Sequence, residues 1–342
     1  MKKITLLDLF SGIGGFHLGF KKAGYKVKSF YSEIDKYAID VYKYNFKNSN
    51  YVGAVTDVRG SELPRIDGIT FGSPCQDFSL AGNREGMSGQ RSSLILEAIR
   101  IIKECRPSFF VWENVKGTFS SNNRRDFAAI LQAFTNIGGY RLEWQLLNTK
   151  WFLPQNRERV YLVGCLGKGS GQQIFPITKS SRKINDAQET RLKQIGTIGK
   201  DSEATRVYNT NCARTIKDGG GLGAKTGLYM VKTNNNKGYA IAQRGDSINY
   251  SVPSSKTRNG RVGKGIATTL DTHCNQAVVQ TQNIIRRLTP KECERLQGFP
   301  DDWTKTGKEL GTISDTQRYK MCGNAVTVDV VQAVAKNIKK VL

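Results

Sequence analysis

Histidine is nearly absent from this chain: its 342 residues include only His17 and His273. The seven cysteines form no Cys-x-x-Cys pair and stand at no zinc-ligand spacing from a histidine. Because structural zinc sites need four such ligands at short spacings, we expect no metal site. An odd, unpatterned set of thiols is also typical of a reducing compartment. We therefore expect a cytoplasmic protein.

Long apolar runs are missing as well. No stretch of about 18 apolar residues occurs, so we expect no membrane span. The chain begins with Lys2 and Lys3, but Asp8 interrupts the following apolar run too early for the core of a signal peptide. Both absences again favour a cytoplasmic location.

Acidic residues are scarce relative to basic ones: 29 Asp and Glu stand against 52 Lys and Arg, a net charge of +23. A chain this basic attracts polyanions, and nucleic acid is the leading candidate partner, with a basic protein that binds no nucleic acid as the alternative. Hydrophobic residues make up 38% of the chain, which is enough for a folded core. The length suits one large domain plus a smaller one, or two domains.

The first half of the chain alternates strand and helix signals. Strands are predicted over residues 4–9, 26–32, 66–71, 108–113, 142–148 and 160–163. Helices are predicted over residues 16–23, 35–44, 92–103, 290–297 and 326–341. This alternation predicts an α/β fold, with a Rossmann-like, doubly wound, mainly parallel sheet.

The composition changes near Gly167. From Lys168 to Gln280 there are 18 basic and 7 acidic residues, glycine, serine, threonine and asparagine are dense, and only residues 227–232 and 277–281 look like strands. We predict a second, smaller, irregular, β-rich domain over residues 176–284. It would interrupt the first domain, which comprises residues 1–175 and 285–342.

A glycine-rich turn, Asp8–Gly15, follows the first predicted strand. Glycines there let a ligand approach the backbone, although such a turn is often only a tight strand–helix connection. Glu33 stands near the end of the second predicted strand, where a carboxylate can accept ribose hydroxyls. Asp57, near the end of a further probable strand that precedes the one at residues 66–71, could accept from an adenine amino group. Together these residues suggest an adenosine-containing ligand, with NAD and S-adenosylmethionine both open at this point.

Three further residues indicate chemistry at the same edge of the sheet. Cys75 lies just past the end of a predicted strand, where α/β sheets bind ligands, although most cysteines are simply buried hydrophobes. Glu113 ends another strand and could exchange a proton near pH 7 or merely cap the next turn. Arg157 and Arg159 lie two apart on an extended segment, so both point the same way, either toward a site or into solvent.

The order and wording of these blocks resemble the DNA (cytosine-5) methyltransferases of bacteria and phages. The matching blocks are Asp8–Gly15, Gly72–Gln76, Glu113–Val115, Gln155–Arg159, Leu296–Pro300 and Gly323–Val326. They span residue 4 to about 166 and about 286 to 342. The segment between them corresponds to the variable target-recognition region of that family.

The resemblance implies a methyltransferase that uses S-adenosylmethionine, releases S-adenosylhomocysteine, and methylates carbon 5 of cytosine in a specific sequence of double-stranded DNA. It implies Cys75 as the nucleophile at carbon 6, and Glu113 as the partner of ring N3 and the exocyclic amine. Arg159 would contact the cytosine O2, and Arg157 would be a supporting cation near the thiolate or a phosphate. No residue identifies itself as the base that removes the carbon 5 proton, and water is a candidate.

The cofactor residues follow from the same resemblance. Phe10 would contact the adenine, Glu33 the ribose and Asp57 the adenine amine, while the glycine backbone, Asn324 and Val326 would surround the methionine part. The expected cofactor residues are Phe10, Ser11, Gly12, Gly14, Gly15, Glu33, Ile34, Asp57, Pro74, Asn324 and Val326. Ala325 stands where the family often has a hydroxyl residue, which puts a side-chain bond from that position in doubt.

The target base must leave the duplex to be methylated. Residues 76–91 are polar and contain glycines, which predicts a lid over the flipped base or else an ordinary surface loop. Ser79 and Arg91 are its expected phosphate contacts. Arginine pairs well with guanine, so the candidate base readers are Arg206, Arg214, Arg244, Arg258 and Arg261. The short Thr-Leu element of the family resembles both Thr215–Ile216 and Thr269–Leu270. We favour the second, so Thr269 is a further expected DNA contact.

Several alternatives stay open. A tRNA cytosine-5 methyltransferase shares the fold but usually has a short recognition region. A nicotinamide oxidoreductase would leave the Pro-Cys-Gln and Glu-Asn-Val blocks unexplained, and a DNA-binding protein with a dead site would not need Cys75, Glu113 and Arg159. Adenine or N4-cytosine methyltransferases carry an Asp/Asn/Ser-Pro-Pro-aromatic tetrad, which this sequence lacks. We further expect a monomer in the nucleoid of a bacterium or phage-infected cell, with a separate cognate restriction endonuclease as one biological setting and an orphan or phage role as another.

Overall fold

A computed structural model of the chain describes residues 1–73, 93–120, 125–167, 172–178, 194–197, 206–208, 229–236, 238–243, 245–252, 255, 257, 259–279 and 285–341. The predicted lid over residues 76–91 lies outside these ranges, as does much of the predicted second domain.

A seven-stranded sheet forms the centre of the described structure, in the order β3-β2-β1-β4-β5-β8-β6. Its strands are β1 (Lys2–Leu9), β2 (Tyr25–Ser32), β3 (Asn50–Tyr51), β4 (Gly68–Gly72), β5 (Phe109–Val115), β6 (Tyr140–Asn148) and β8 (Glu158–Leu166). The first five pair in parallel, and β8 runs antiparallel to both of its neighbours. The predicted doubly wound, mainly parallel sheet is confirmed, with one antiparallel strand near its edge.

Helices cover both faces of this sheet. They are α1 (Gly15–Lys22), α2 (Lys36–Asn45), α3 (Ser93–Cys105), α4 (Lys116–Ser120), α5 (Arg125–Thr135), α6 (Pro290–Gln297), α7 (Asp315–Asn324) and α8 (Val328–Val341). Strand β5 shows why two layers form, because its residues alternate between two hydrophobic clusters. Phe109 and Val111 join the cluster under α1 and α8, whereas Phe110 and Trp112 join the cluster under α3 and α5.

Helices α1 and α8 pack closely because glycines remove side chains between them. A Cβ atom built on Gly19 would lie only 2.4 Å from Cγ1 of Val331, so no larger residue fits there. This contact brings the last helix of the chain against the first. Capping residues set the ends of other helices: Asp35 accepts from the amides of Tyr37 and Ala38 at the start of α2.

The sheet order reverses between β1 and β4. The chain leaves β1 toward β2 and β3 on one side and then returns to place β4 on the other side. In open α/β sheets such a switch point opens a crevice beyond the carboxyl ends of the strands, where ligands bind. The glycine-rich turn follows β1 and the Gly72-Ser73 segment ends β4, so both predicted site blocks begin at this crevice.

The second region is built from short strands. They are β9 (Gln194–Thr197), β10 (Arg206–Tyr208), β11 (Tyr229–Lys232), β12 (Tyr239–Ala242), β13 (Ser247–Asn249), β14 (Val262–Gly263), β15 (Ala267–Thr268), β16 (Gln276–Val279) and β17 (Ile285–Arg287). Four of them form an antiparallel sheet in the order β14-β13-β16-β17. This agrees with a smaller β-rich region, and β11 and β16 fall on the two predicted runs. Strand β15 instead pairs in parallel with β7 (Gln155–Asn156) of the first region.

The two predicted domain boundaries fall inside packed structure. Phe175 and Ile177 lie on either side of the first boundary, and both are buried in the main core. Strand β17 lies just past the second boundary but pairs with β16 of the second region. The division at residues 175/176 and 284/285 therefore stays a prediction, with a few residues of each region packed against the other.

Candidate active site

The glycine-rich turn has the backbone of a ligand cradle. Phe10, Gly12 and Gly14 all have positive φ angles, of 50°, 52° and 83°. Glycine adopts such angles without steric cost, but Phe10 does not, and strained backbone of this kind concentrates at functional sites. A Cβ atom built on Gly12 would meet nothing within 4 Å, so the backbone there faces open space. The turn can therefore admit a ligand beside its backbone.

Gly14 and Gly15 also allow close packing. A Cβ atom on Gly14 would lie 2.3 Å from the ring of Phe46, and one on Gly15 would lie 2.6 Å from Cγ2 of Val326. Val326 is itself buried and follows Asn324, the exposed last residue of α7. The structure thus brings together two predicted cofactor blocks that stand more than 300 residues apart in the chain.

Glu33 directly follows β2 and stabilises the same turn. Its carboxylate accepts from the amides of Gly12 at 2.8 Å, Ile34 at 2.8 Å and Asp35 at 3.0 Å. A carboxylate offers about four acceptor positions, so it retains room for a hydroxyl of a ligand. Ile34 beside it is 80% exposed. An exposed, large apolar side chain next to a fixed carboxylate is well placed to cover a planar ring.

Asp57 does not lie near the end of a strand as predicted. Strand β3 ends at Tyr51, and Gly53 then turns the chain with a φ of 85°. Asp57 follows in an exposed turn, where its carboxylate accepts from the Thr56 hydroxyl at 3.2 Å. The turn still lies beyond the carboxyl edge of the sheet, because the Ser32 hydroxyl at the end of β2 donates to the Gly53 carbonyl at 2.8 Å.

Two buried polar groups lie at this turn, and the sequence interpretation had assigned a role to only one of them. Asp8 is fully buried, its Oδ1 accepts from the Thr70 hydroxyl at 2.8 Å, and burial raises its pKa well above the ordinary value. Asp8 Oδ2 and Ser11 Oγ have no hydrogen-bond partner among the residues that the structure describes. Ser11 was an expected cofactor residue. Asp8 was not, because in the sequence an aspartate near the end of a strand looks like an ordinary residue of the following turn.

Glu113 and Arg159 form the charged centre of the crevice. Arg159 Nε lies 3.1 Å from Glu113 Oε1, and both side chains are largely buried, at 15% and 10% exposure. The contact is ionic, since Oε1 has no hydrogen-bond donor within the described part of the chain. Gly72 at the end of β4 pairs with Glu113, and a Cβ atom there would lie 3.2 Å from Glu113 Oε2. The carboxylate therefore lies directly beside the strand that leads toward Cys75.

Ser73 is held by two donors from β5, an arrangement that the sequence did not reveal. Its hydroxyl oxygen accepts from Trp112 Nε1 and from Asn114 Nδ2, each at 3.0 Å. Asn114 is fixed in turn, because its carbonyl oxygen accepts from the Val115 amide and the Thr118 hydroxyl. Ser73 is the last described residue before Pro74 and Cys75, and both of these expected site residues lie outside the described ranges.

Arg157, expected as a cation near the thiolate or a phosphate, is held by backbone carbonyls, and Cys75 lies outside the described residues. Arg157 is 3% exposed, and its guanidinium donates to the carbonyl oxygens of Ala325 at 3.0 Å and of Gly323 and Leu270 at 3.4 Å each. Burial, and then the neighbouring Arg159, lower its pKa to about 9. Its described contacts thus hold backbone together rather than reach toward an anion.

The Thr269–Leu270 element lies directly against the arginine block. The Thr269 hydroxyl donates to the Asn156 carbonyl at 2.9 Å, and the Leu270 amide donates to Gln155 Oε1 at 3.2 Å. Gln155 is fully buried and also donates to the Leu296 carbonyl at 2.8 Å. The competing match, residues 215–216, lies outside the described ranges.

Arg261 is placed unfavourably for reading DNA bases. It is 3% exposed, and its guanidinium donates to the carbonyls of Ser251 at 3.0 Å and Val252 at 2.6 Å. A guanidinium engaged in this way stabilises its own loop, which corrects the expectation for this residue. Arg206 lies in β10, and the structure describes its backbone but not its side chain. The remaining expected DNA contacts lie outside the described ranges: Ser79, Arg91, Arg214, Arg244 and Arg258.

None of the described helices combines the length and the apolar character that crossing a bilayer requires. In the same ranges, the His, Cys, Asp and Glu side chains form no group of three that could hold a metal ion.

The fold and the crevice first define a class: an α/β protein with an open glycine-rich turn beside a buried carboxylate and an arginine. The comparisons then give the family. A family model described as C-5 cytosine-specific DNA methylase matches residues 4–340. The chain belongs to this family, and its enzyme class is DNA (cytosine-5) methyltransferase.

Named relatives agree with this placement. The chain is 33% identical to the type II methyltransferase M.FnuDI of Fusobacterium nucleatum, over 99% of this chain and 95% of that protein. It is 34% identical to the type II methyltransferase M1.ScrFI of Lactococcus lactis subsp. cremoris, over 99% and 79%. It is 28% identical to the orphan methyltransferase M.SPRI of Bacillus phage SPR, over 99% and 98%.

Solved structures share the fold. One is a prophage-encoded E. coli protein described as a DNA modification methyltransferase, with a TM-score of 0.61, 22% identity and 99% coverage of both chains. Another is the Entamoeba histolytica methyltransferase EhMeth, with a TM-score of 0.59, 15% identity and 99% coverage of both chains. At these identities the likeness supports the fold alone.

Proposed function

We propose that this enzyme transfers a methyl group from S-adenosylmethionine to carbon 5 of a flipped-out cytosine in a specific duplex DNA sequence, through a covalent bond from Cys75 to carbon 6. The observation that carries the proposal is the buried Glu113–Arg159 pair beside Gly72, three residues before Cys75. This pair places a hydrogen-bond acceptor and a hydrogen-bond donor beside the end of β4, the strand that leads to the proposed nucleophile.

The cradle fits an adenosine-type cofactor. The open space over Gly12 lets the cofactor approach the backbone. The fixed carboxylate of Glu33 can accept from the ribose hydroxyls, and the exposed side chain of Ile34 can cover the adenine ring. Ser11 Oγ, buried and without a described partner, adds a polar atom at the same turn. When bound, S-adenosylmethionine supplies an electrophilic methyl group. The residues proposed to hold it are Phe10, Ser11, Gly12, Gly14, Gly15, Glu33, Ile34, Asp57, Pro74, Asn324 and Val326.

Cys75 is proposed as the nucleophile because carbon 5 of cytosine is unreactive by itself. The thiolate forms a bond to carbon 6, and the electrons of the 5,6 double bond move toward carbon 5 and the ring. Once carbon 5 has been methylated it carries both the methyl group and a proton. Loss of that proton to water restores the double bond as the carbon–sulfur bond breaks, and the thiolate leaves unchanged.

Glu113 and Arg159 are proposed to stabilise the activated ring. Oε1 of Glu113, which has no hydrogen-bond donor among the described residues, can accept from the exocyclic amine, and the carboxyl group can share a proton with ring N3. Arg159 can donate to the cytosine O2 while it compensates the charge of the buried carboxylate. Both act by hydrogen bonds to a planar ring, which selects cytosine by its donor and acceptor pattern.

Double-stranded DNA is the proposed substrate, since the basic chain can bind phosphates without regard to sequence. The matching family model is that of a DNA methylase, so the tRNA alternative is not favoured. By analogy with the type II and orphan relatives we propose a modification enzyme that acts alongside a separate restriction endonuclease or as a phage orphan. We also propose that it acts as a monomer.

The test is a transfer assay with S-adenosylmethionine labelled in its methyl group, offering duplex DNA and tRNA in parallel. We expect incorporation into DNA alone, and bisulfite sequencing of DNA from cells that express the chain should show 5-methylcytosine in one sequence context. Incorporation into tRNA alone, or none with either acceptor, would refute the proposal.

A further inference from the structure

The guanidinium of Arg157 lies where three parts of the chain meet. Arg157 itself stands between β7 and β8 of the central region. Two of its acceptors, the carbonyls of Gly323 and Ala325, flank Asn324 at the end of α7, on the side proposed for the cofactor. The third acceptor, the Leu270 carbonyl, belongs to the second region, on the side proposed for DNA.

This guanidinium is a buried cation whose described hydrogen bonds all go to backbone carbonyls. Its Nε is buried and has no hydrogen-bond partner among the described residues, so the charge depends on these carbonyls. Losing one of them would leave a further costly unpaired donor. Movement of Leu270 or of the Gly323–Ala325 turn would therefore be resisted through the same side chain. Each of the two segments is stable in its place partly because the other is in place.

Neighbouring contacts make the connection between these two segments rigid. Strand β15 pairs with β7, and Gln155 Oε1 accepts from the Leu270 amide at 3.2 Å. A Cβ atom built on Gly323 would lie 2.5 Å from the Asp271 carbonyl oxygen, so the segment touches the end of α7 with no space between. A shift of residues 267–275 is thus transmitted to α7 rather than absorbed by a gap.

We propose that Arg157 is a positioning residue that couples residues 267–275 of the second region to the Gly323–Val326 turn, so that DNA and the methyl donor bind cooperatively. The inference rests on the proposed function for the places where the two ligands bind. Coupling of this kind is reciprocal, because each ligand must raise the affinity for the other by the same factor. It gives a measurable quantity that a residue needed only for folding would not change selectively.

The experiment measures the dissociation constant of S-adenosylhomocysteine by calorimetry, with and without a saturating duplex that carries the methylated site. For the unchanged protein we expect the duplex to tighten binding by about 5-fold or more. In Arg157→Gln the ratio should fall close to one, while binding of the nucleoside alone changes by less than about threefold. Arg157→Lys keeps the charge but cannot span three carbonyls, so its ratio should lie between the two.

Arg261→Gln is the matched control. Arg261 is equally buried and also bonds backbone carbonyls, but it lies in the second region, and its described hydrogen bonds reach no residue of the Gly323–Val326 turn. Its coupling ratio should equal that of the unchanged protein. If Arg157→Gln fails to fold, as judged by its thermal unfolding, Arg157→Lys decides the question by the same ratio.

A coupling ratio that survives in a folded Arg157 variant overturns the inference, as does a ratio of one in the unchanged protein. Failure of the unchanged protein to bind S-adenosylhomocysteine at all would instead overturn the proposed function. The two failures are therefore distinguishable in one set of titrations.

Discussion

Glu113 and Arg159 are diagonal neighbours on one face of an antiparallel strand pair. Arg159 stands in register with Val115 and Tyr161 with Glu113, so the two charged residues are offset by two positions. Side chains so offset are still within reach of one another, and here Nε and Oε1 come to 3.1 Å. The end of β5 and the start of β8 therefore bring a carboxylate and a guanidinium to the same point of the crevice.

Glu113→Gln should lower kcat by about 100-fold or more, because an amide cannot share a proton with ring N3. Binding of duplex DNA should change little. Glu158→Gln is the matched control, since Glu158 lies on the neighbouring strand but pairs with Lys116 and is more exposed. Its kcat should stay within about twofold. Equal losses in both variants, measured by single-turnover methyl transfer, would show that Glu113 acts only through packing.

Ser73→Ala should destabilise the protein, because two buried donors, on Trp112 and Asn114, would lose their acceptor. An unsatisfied buried group costs about 1–3 kcal/mol. Urea unfolding measures the loss. Ser49→Ala provides the comparison, since the Ser49 hydroxyl only donates one hydrogen bond to the Phe46 carbonyl. A Ser73 variant as stable as the Ser49 variant would contradict the described network.

Gly15→Ala should weaken cofactor binding and destabilise the fold by about 1–3 kcal/mol through overpacking against Val326. Gly117→Ala is the control, because its Cβ would make only an ordinary contact, 3.7 Å from Val115 Cγ2, within helix α4. That change should be neutral or stabilise by up to about 1 kcal/mol. Calorimetry with S-adenosylhomocysteine and urea unfolding measure both effects. Normal cofactor affinity in Gly15→Ala would show that the close packing of Gly15 against Val326 does not shape the cofactor site.

His17 predicts a loss of stability in mild acid. Burial, and then the charge of Lys21, lower its pKa from 6.5 to about 3, while it stacks on Phe46 and contacts the Tyr42 hydroxyl at 3.0 Å. The unfolded state binds the proton more readily, so stability is full above pH 6.5 and falls progressively between pH 6.5 and 3. From pH 7.5 to 5 the loss is about 2 kcal/mol.

His17→Phe should abolish this share of the pH dependence, because phenylalanine keeps the ring but does not titrate. Urea unfolding at pH 7.5 and pH 5 measures it, and taking the difference between the two proteins removes the contribution of Asp8. The exposed His273 provides the control as His273→Gln. If the His17 variant lost as much stability as the unchanged protein, the buried histidine would not be the cause.

Much of the fold could be predicted from the sequence because its signals are local. Helix α6 begins at Pro290, after Thr289, which forms a capping box with Glu292, and it ends before Gly298, which has a left-handed conformation. Both of its bounds can therefore be predicted from residues at its ends. The third strand was harder to predict. Gly53 ends the extended chain early, and an apolar pattern alone does not show where a glycine takes a positive φ.

The candidate site was predictable only as a set of blocks. Asp8–Gly15, Glu113 and Arg159 are read from strand ends, and the sheet order brings them together. The settings of Arg157 and Arg261 could not be foreseen, because their partners are backbone carbonyls, and those of Arg157 stand 113 to 168 residues away. A sequence shows which side chains can donate, but not which distant carbonyls reach them.

The most direct test of the covalent route is to trap it. Duplex DNA with 5-fluorocytosine at the target position is mixed with S-adenosylmethionine and the protein, and the product is examined by denaturing electrophoresis and peptide mass spectrometry. Fluorine cannot leave as a proton does, so covalent catalysis predicts a stable protein–DNA adduct through Cys75 that is absent from Cys75→Ala. A folded, DNA-binding protein that forms no adduct, or an adduct through another residue, would contradict it.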